Sequence, residues 1–224
     1  ADVRGLFSRD YYFDGQGEYV RVRDGSGSLS NTTTNITQGA AYKGGCYFPD
    51  PSYRFGAKFD TYYKFCYGGI HRVNYVIENT LKMIPNAKTE ESKKKLETVI
   101  GEARLLRGMI YFRLISMWGD VPYIDHVVYN QTEMDKIVRT SIAKIKDYII
   151  EDFNYAFEKL PVKSEQIGRA SKPAALAFKG KLELYWACWN HFGWPELDTF
   201  TPSEEEARKA YKAAADDFHA VIND

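Results

Sequence analysis

The sequence lacks any apolar run that could cross a membrane, because no window of its 224 residues approaches the ~20 consecutive apolar residues of a transmembrane helix. It also lacks an excess of charge of either sign, with 30 basic residues (Lys and Arg) and 30 acidic residues (Asp and Glu). A chain without net charge has no long-range field that would attract nucleic acid or an anionic membrane surface. We therefore expect it to bind neither nucleic acid nor, directly, a membrane.

Motifs of the common enzyme classes are missing as well. The sequence contains no P-loop, no H-E-x-x-H, no G-x-S-x-G and no dinucleotide-binding fingerprint, and its four histidines are scattered. The three cysteines, Cys46, Cys66 and Cys188, form no C-x-x-C pair and are interpreted as small buried apolar side chains. The sequence therefore predicts a protein that is not an enzyme and has no metal site and no cofactor.

Aromatic residues are abundant, with 17 Tyr, 13 Phe and 4 Trp. Tyrosine suits surfaces that are partly apolar and partly hydrated, so a polar ligand with flat faces is one interpretation. The other interpretation is that most of these rings fill the contacts of a helical stack.

Two regions of different character follow one another along the chain. Residues 1–57 are rich in Gly, Ser, Thr and Tyr without a helical period, which predicts loops with at most one short strand pair. Residues 58–224 carry apolar side chains at three- and four-residue steps. They predict an all-α fold, a degenerate tetratricopeptide-like stack of helix pairs without the strict period of about 34 residues. The predicted helices cover residues 58–83, 89–117, 142–160, a segment beginning after Ser171, and 203–221.

Local signals support the starts of these helices. Thr89 is a suitable N-cap, and Ser203 with Glu206 forms a capping box.

The fifth helix has no partner when the helices are paired in sequence order. Its apolar face (Tyr211, Ala214, Phe218 and Val221) therefore predicts that the natural chain continues beyond residue 224.

One segment is far more specific than the rest. Residues 101–124 read GEARLLRGMIYFRLISMWGDVPYI, and further motifs follow in order at 168–176 and 207–222. This pattern resembles the SusD/RagB family, in which a Gly-Glu-Ala-Arg helix ends at Gly-Asp-Val-Pro. Gly108 stands where the family usually has Ala. We interpret the charged signature residues as ion pairs that fix the second helix against its neighbours rather than as ligand contacts: Glu102, Arg104, Arg107 and Asp120.

The resemblance implies non-catalytic capture of an oligosaccharide or polysaccharide at the surface of the bacterial outer membrane. It implies a lipoprotein whose lipid-bearing cysteine lies upstream of residue 1, after a signal peptide that is not in this chain. It further implies delivery of the glycan to a SusC-like TonB-dependent transporter. The binding site would be built from loops, with a share contributed by C-terminal segments outside this chain.

Two groups of residues are candidates for the ligand site. The first precedes the first helix and comprises Tyr42, Tyr47, Phe48, Tyr53 and Arg54; the second comprises Trp189 and Trp194. Aromatic rings can support the C–H face of a sugar, but the first group could equally pack its loop onto the helices. Trp189 and Trp194 could instead contact the transporter or the remainder of the protein.

Alternatives to glycan capture remain open at this point. A helical adaptor that binds a peptide or protein partner is one, and a hydrolase with carboxylates facing across a cleft is another. A peptide ligand within the same family is a third.

Overall fold

The computed structural model describes residues 56–164, 166–193 and 200–223, with side chains described from residue 63 onward. The chain divides into two compact units, residues 1–69 and 70–224. Nearly all of the predicted loop-rich segment 1–57 lies outside the described residues. The predicted division at residue 57 therefore stays a prediction.

Six α-helices and one short two-stranded ribbon form the described part of the chain, which confirms the all-α prediction. The two strands of the ribbon are antiparallel, with Val121 opposite Thr140 and Pro122 opposite Arg139. A 3-10 turn at Ile84–Asn86 separates the first two helices. The elements are α1 (Gly56–Met83), α2 (Glu90–Trp118), β1 (Val121–Pro122), α3 (Gln131–Met134), β2 (Arg139–Thr140), α4 (Ile142–Lys159), α5 (Lys172–Phe192) and α6 (Glu204–Asn223).

The helix boundaries follow local chemistry. Thr89 Oγ1 accepts a hydrogen bond from the Ser92 amide at 3.1 Å, which satisfies one of the amides left open at the start of α2. At the other end, Gly119 has φ 64°, a backbone conformation that glycine adopts without steric cost. The long helix is therefore stopped where the Gly-Asp-Val-Pro sequence begins.

Helix α2 is buried on more than one side. Ile100 and Ala103 pack with Val73 and Ile77 of α1 in one apolar cluster. On the α4 side, a Cβ added to Gly108 would lie only 2.6 Å from the Phe153 ring, so glycine permits this close approach of the two helices. The position at which the chain departs from the family's usual Ala is thus a packing contact.

The three- and four-residue spacing of apolar residues predicts a buried stripe along α2, and this prediction is wrong at Leu106. The predicted stripe comprises Leu96, Val99, Ala103, Leu106, Ile110 and Leu114. Leu106 is exposed, whereas the neighbouring Leu105 and Arg107 are buried. Helix α2 packs against both α1 and α4. These two neighbours, rather than the spacing of apolar residues alone, decide which of its side chains are buried.

Helices α5 and α6 pack against each other through small residues. A Cβ added to Gly180 would lie 3.1 Å from the Phe218 ring, and Ala207 and Ala214 of α6 are buried. The expectation that the last helix lacks a partner was therefore wrong. Each helix of a stack can contact both the helix before it and the helix after it, so counting helices in pairs missed this contact.

Candidate functional site

Most of the predicted ligand residues lie outside the described part of the chain. This holds for Tyr42, Tyr47, Phe48, Tyr53 and Arg54, and also for Trp194. Trp189 is described, and its predicted role as a ligand contact stays a prediction.

Trp189 belongs to a row of half-buried rings on α2 and α5. Its ring centroid lies 5.8 Å from that of Tyr185 in an edge-on arrangement, and Tyr185 lies 5.3 Å from Phe112 in the same way. The Tyr185 hydroxyl is 3.4 Å from the Ile115 carbonyl, to which it donates a hydrogen bond. These contacts hold Trp189 in a fixed position near the end of α5.

Arg107 is the centre of a buried polar network. Its side chain forms two parallel hydrogen bonds to Asp152 of α4, each of 2.7 Å, and Arg107 and Asp152 are only 5% and 2% exposed. Arg104 lies farther away, 3.8 Å from Asp152, and its guanidinium stacks over the Tyr155 ring at 4.3 Å. A paired arginine and carboxylate thus connect α2 to α4.

The same arginine fastens the loop that follows β1. Arg107 donates to the Asn74 side-chain oxygen at 3.0 Å and to the Asp125 carbonyl at 3.1 Å. Asn74 in turn donates to the carbonyls of Ile124 and His126, at 2.9 and 3.0 Å. Two side chains from different helices, Arg107 of α2 and Asn74 of α1, therefore satisfy the backbone carbonyls of this loop and set its position.

Stacked tyrosines support the loop from the other side. Tyr111 accepts a hydrogen bond from the Ile124 amide at 2.6 Å and donates to the Ile124 carbonyl at 3.1 Å. The Tyr123 ring lies between those of Tyr111 and Tyr148, at centroid distances of 4.7 and 4.4 Å. Burial raises the pKa of Tyr111 and of Tyr123 well above the ordinary value, so both hydroxyls stay neutral hydrogen-bonding groups.

The other signature residues are also structural. Glu102 forms a bidentate ion pair with Arg169, which precedes α5. Asp120 accepts a hydrogen bond from the Ile142 amide at 2.8 Å and so caps the start of α4. The expectation that the signature charges hold α2 against its neighbours is confirmed for Arg107 and Glu102, and Asp120 contributes a cap.

An exposed histidine lies within this loop. His126 Nδ1 is 2.8 Å from an Asp125 carboxylate oxygen, and its Nε2 is 2.7 Å from Glu133. The hydrogen bond to Asp125, followed by that to Glu133, raises the pKa of the His126 imidazole above its ordinary value of 6.5. Any stabilisation of the loop by these pairs is complete below pH 6.5 and disappears as the pH rises through the raised pKa.

We expect an NMR titration of the His126 ring protons to give a pKa above 6.5. The variant Asp125→Asn should lower that pKa, because it removes the carboxylate that contributes most to the upward shift while keeping the size of the side chain. A wild-type value at or below 6.5, or no decrease in the variant, would show that the two carboxylates do not hold the imidazole in solution.

A second polar cluster lies between α4, α5 and α6. Glu183 is 7% exposed, and Lys179 lies 3.8 Å from Glu183 and 3.1 Å from Asp217 of α6. Burial first, and the nearby charge of Asp217 second, raise the pKa of Glu183 to about 7, while Lys179 and Lys146 oppose the shift. Two carboxyl groups thus compete for one close ammonium group.

The described residues contain neither a metal-binding cluster nor a membrane-spanning helix. No group of three or more His, Cys, Asp or Glu side chains in those residues is arranged to hold a metal ion. No helix among them combines the length and apolar character needed to cross a membrane.

Comparison with known proteins identifies the family. A protein family described as "Starch-binding associating with outer membrane" (SusD-like) matches residues 26–184. This chain belongs to that SusD-like family, which confirms the resemblance found in the sequence.

Two relatives carry the same designation. SusD-like protein P2 of Formosa agariphila is 34% identical over 96 residues, which is 42% of this chain and 19% of that protein. A SusD-like protein of Bacteroides ovatus is 33% identical over 129 residues, covering 57% of this chain and 22% of the relative. The chain therefore spans about a fifth of the length of these proteins.

Solved structures agree on the fold. A SusD homologue from Bacteroides thetaiotaomicron superposes with a TM-score of 0.68 at 23% identity, over 98% of this chain and 38% of that one. A structure solved with a xylogluco-oligosaccharide gives a TM-score of 0.56 at 25% identity, over 74% of this chain and 30% of that one.

Proposed function

We propose that this chain is part of a glycan-binding protein that captures an oligosaccharide or polysaccharide without cleaving it. The observation that carries the proposal is the family match over residues 26–184, whose description is starch-binding. The similarity to a structure solved with a xylogluco-oligosaccharide supports it.

The architecture of the described residues is suited to this task. Sugar rings have an apolar face that stacks on aromatic rings, and their hydroxyl groups need a few fixed polar partners. Buried networks such as Arg107 with Asp152 keep the helices in register, so that loops can present such groups at constant positions. The contacts we propose are Tyr42, Tyr47, Phe48, Tyr53, Arg54, Trp189 and Trp194.

The cellular setting is part of the same proposal. By analogy with the family, the full-length protein is a lipoprotein on the outer surface of the bacterial outer membrane. It hands its glycan to a SusC-like TonB-dependent transporter. Any attachment to the membrane is through the lipid anchor.

We expect Tyr53→Ala and Tyr47→Ala each to weaken binding of malto- or xylogluco-oligosaccharides by about five- to tenfold, because each removes a ring against which a sugar can stack. The melting temperature should stay nearly unchanged. Isothermal titration calorimetry gives the affinity, and circular dichroism gives the melting temperature.

Phe157→Ala is the matched control, since Phe157 is an exposed ring on α4 outside the proposed contacts. If both tyrosine variants lose stability and bind as well as the control, the rings serve packing and the contacts are misplaced. Chromatography of the glycan after incubation tests the non-catalytic part of the proposal, which predicts that no shorter products are released.

A further inference from the structure

Two exposed tyrosines lie beside an ion pair of a carboxylate and an ammonium group on the solvent-exposed face of α1. Tyr75 of α1 and Tyr129 of the loop before α3 are 54% and 66% exposed. Glu78 and Lys82, on the following turns of α1, form an ion pair of 2.7 Å. Both rings therefore have faces that a ligand can contact.

This arrangement is held in place by named contacts. The Tyr129 hydroxyl donates a hydrogen bond of 2.8 Å to Glu78 Oε1, the oxygen that also pairs with Lys82. One carboxylate therefore joins the loop to α1. The Tyr129 amide donates to Glu133 at 3.3 Å, and Asn130 caps α3 by accepting from the Glu133 amide at 2.9 Å. Tyr129 is therefore fixed at both its backbone and its hydroxyl before any ligand arrives, which reduces the entropy lost on binding.

A groove continues from this surface. Asn79 and Lys82 line an open concavity of about 720 Å³ between the end of α1 and the start of α2. This volume lies within the range of small-ligand sites, which is about 300–1,000 Å³. Amide, hydroxyl and ammonium groups are available along its length, beside apolar ones. The other lining residues are Met83, Asn86, Ala87, Lys88, Ser92, Lys95 and Leu96.

Two of the three lysines that line the groove, Lys82 and Lys95, are paired with carboxylates. Lys82 is paired with Glu78, and Lys95 is paired with Glu91 at 2.6 Å. An anionic ligand would have to compete with these carboxylates, whereas a neutral one would not. Flat apolar rings beside paired charges, amides and hydroxyls fit a neutral polyhydroxylated ligand, whose C–H faces stack and whose hydroxyl groups hydrogen-bond.

We propose that Tyr75, Glu78, Asn79, Lys82 and Tyr129 form an additional saccharide-contact surface for a neutral oligosaccharide. The surface is distinct in sequence from residues 42–54 and from the two tryptophans. The inference rests on the proposed function, because it assigns the same class of ligand to a further surface of the chain.

The test is calorimetric titration of this chain with malto- and xylogluco-oligosaccharides. The double variant Tyr75→Ala/Tyr129→Ala should bind the better of these probes at least about tenfold more weakly, since it loses both stacking faces. Glu78→Gln keeps both rings and should weaken binding about threefold, through loss of a charged acceptor. Phe157→Ala again serves as the control and should bind like the wild type.

The outcomes separate this inference from the proposed function. Weakening in the double variant and in Glu78→Gln, with melting temperatures equal to that of the control, supports the surface. If the wild type binds and both variants bind equally well, the additional surface is refuted while glycan capture stands. If the wild type binds neither probe, both proposals fail together.

Discussion

Replacing Arg107 by methionine is expected to lower the free energy of unfolding by about 3–5 kcal/mol, the usual cost of leaving one member of a buried ion pair without its partner. Asp152 would lose its bidentate partner in a site that is only 2% exposed. Arg104, at 3.8 Å, offers only a distant replacement. Asn74 would also lose the donor that Arg107 provides at 3.0 Å. Urea unfolding followed by circular dichroism measures the change.

The chain contains its own control for this experiment. Arg169 and Glu102 form the same type of bidentate pair, but their side chains are 45% and 18% exposed. Arg169→Met should therefore cost at most about 1 kcal/mol, as is typical of solvent-accessible pairs. The double variant Arg107→Met/Asp152→Leu removes both buried charges and should recover most of the loss. An equal cost for Arg107→Met and Arg169→Met would contradict the role assigned to the buried network.

Replacing Glu183 by glutamine should stabilise the protein at pH 8, by a free energy on the order of 2 kcal/mol, while leaving it almost unchanged near pH 4.5. The raised pKa of about 7 means that the folded protein binds the Glu183 proton more tightly than the unfolded chain does. Stability contributed by this proton is complete below pH 4.5 and is lost as the pH rises through about 7. Glutamine has nearly the same size and carries no charge to desolvate.

The charged groups around Glu183 come from all three helices that meet there. Asp217 of α6 raises the pKa of Glu183, whereas Lys179 of α5 and Lys146 of α4 lower it. Melting curves between pH 4.5 and 8 for the wild type and Glu183→Gln give the comparison, with the exposed Glu151→Gln as the control for loss of a negative charge. A variant that is less stable than the wild type at pH 8 would show that Glu183 remains ionised and paired in the folded protein.

The long helices were predictable because their signals are local. Apolar periodicity placed a helix at 58–83 and another at 89–117, and the structure has Gly56–Met83 and Glu90–Trp118. The Thr89 cap and the interaction of Ser203 with the Glu206 amide, at 3.3 Å, were also visible in the sequence. Capping and three- to four-residue spacing involve neighbours within one helical turn, so they require no knowledge of the fold.

Contacts between distant residues were not predictable in the same way. The ribbon of β1 and β2 has two residues in each strand, too few for any periodic signal. Ser141 has the residue type of a cap, yet the Ile142 amide is satisfied by Asp120, 22 positions away. Similarly, the Ser203 amide donates a hydrogen bond to Asn190 Oδ1, whereas a capping box would have it donate to the Glu206 side chain. Each of these bonds depends on how the helices are arranged in space.

The site was predictable only in part. The family signature correctly pointed to structural charges on α2, but it did not reveal that Asp152 is the partner of Arg107. The available signal was Asp152 itself, which shares the helix face of Ile145, Ile149 and Phe153 and is the carboxylate on that otherwise apolar face. Tyr129 was overlooked because it lies in a loop without periodicity, where exposure cannot be deduced from neighbouring residues.

We propose that this chain binds glycan without transforming it, and a glycan array probed with the labelled protein is the most direct test. We expect retention on one class of neutral oligosaccharides, among which starch- and xyloglucan-derived sugars are the first to examine. We also expect the bound sugar to be recovered intact. Failure to retain any glycan, or recovery of cleaved products, would contradict the proposed function.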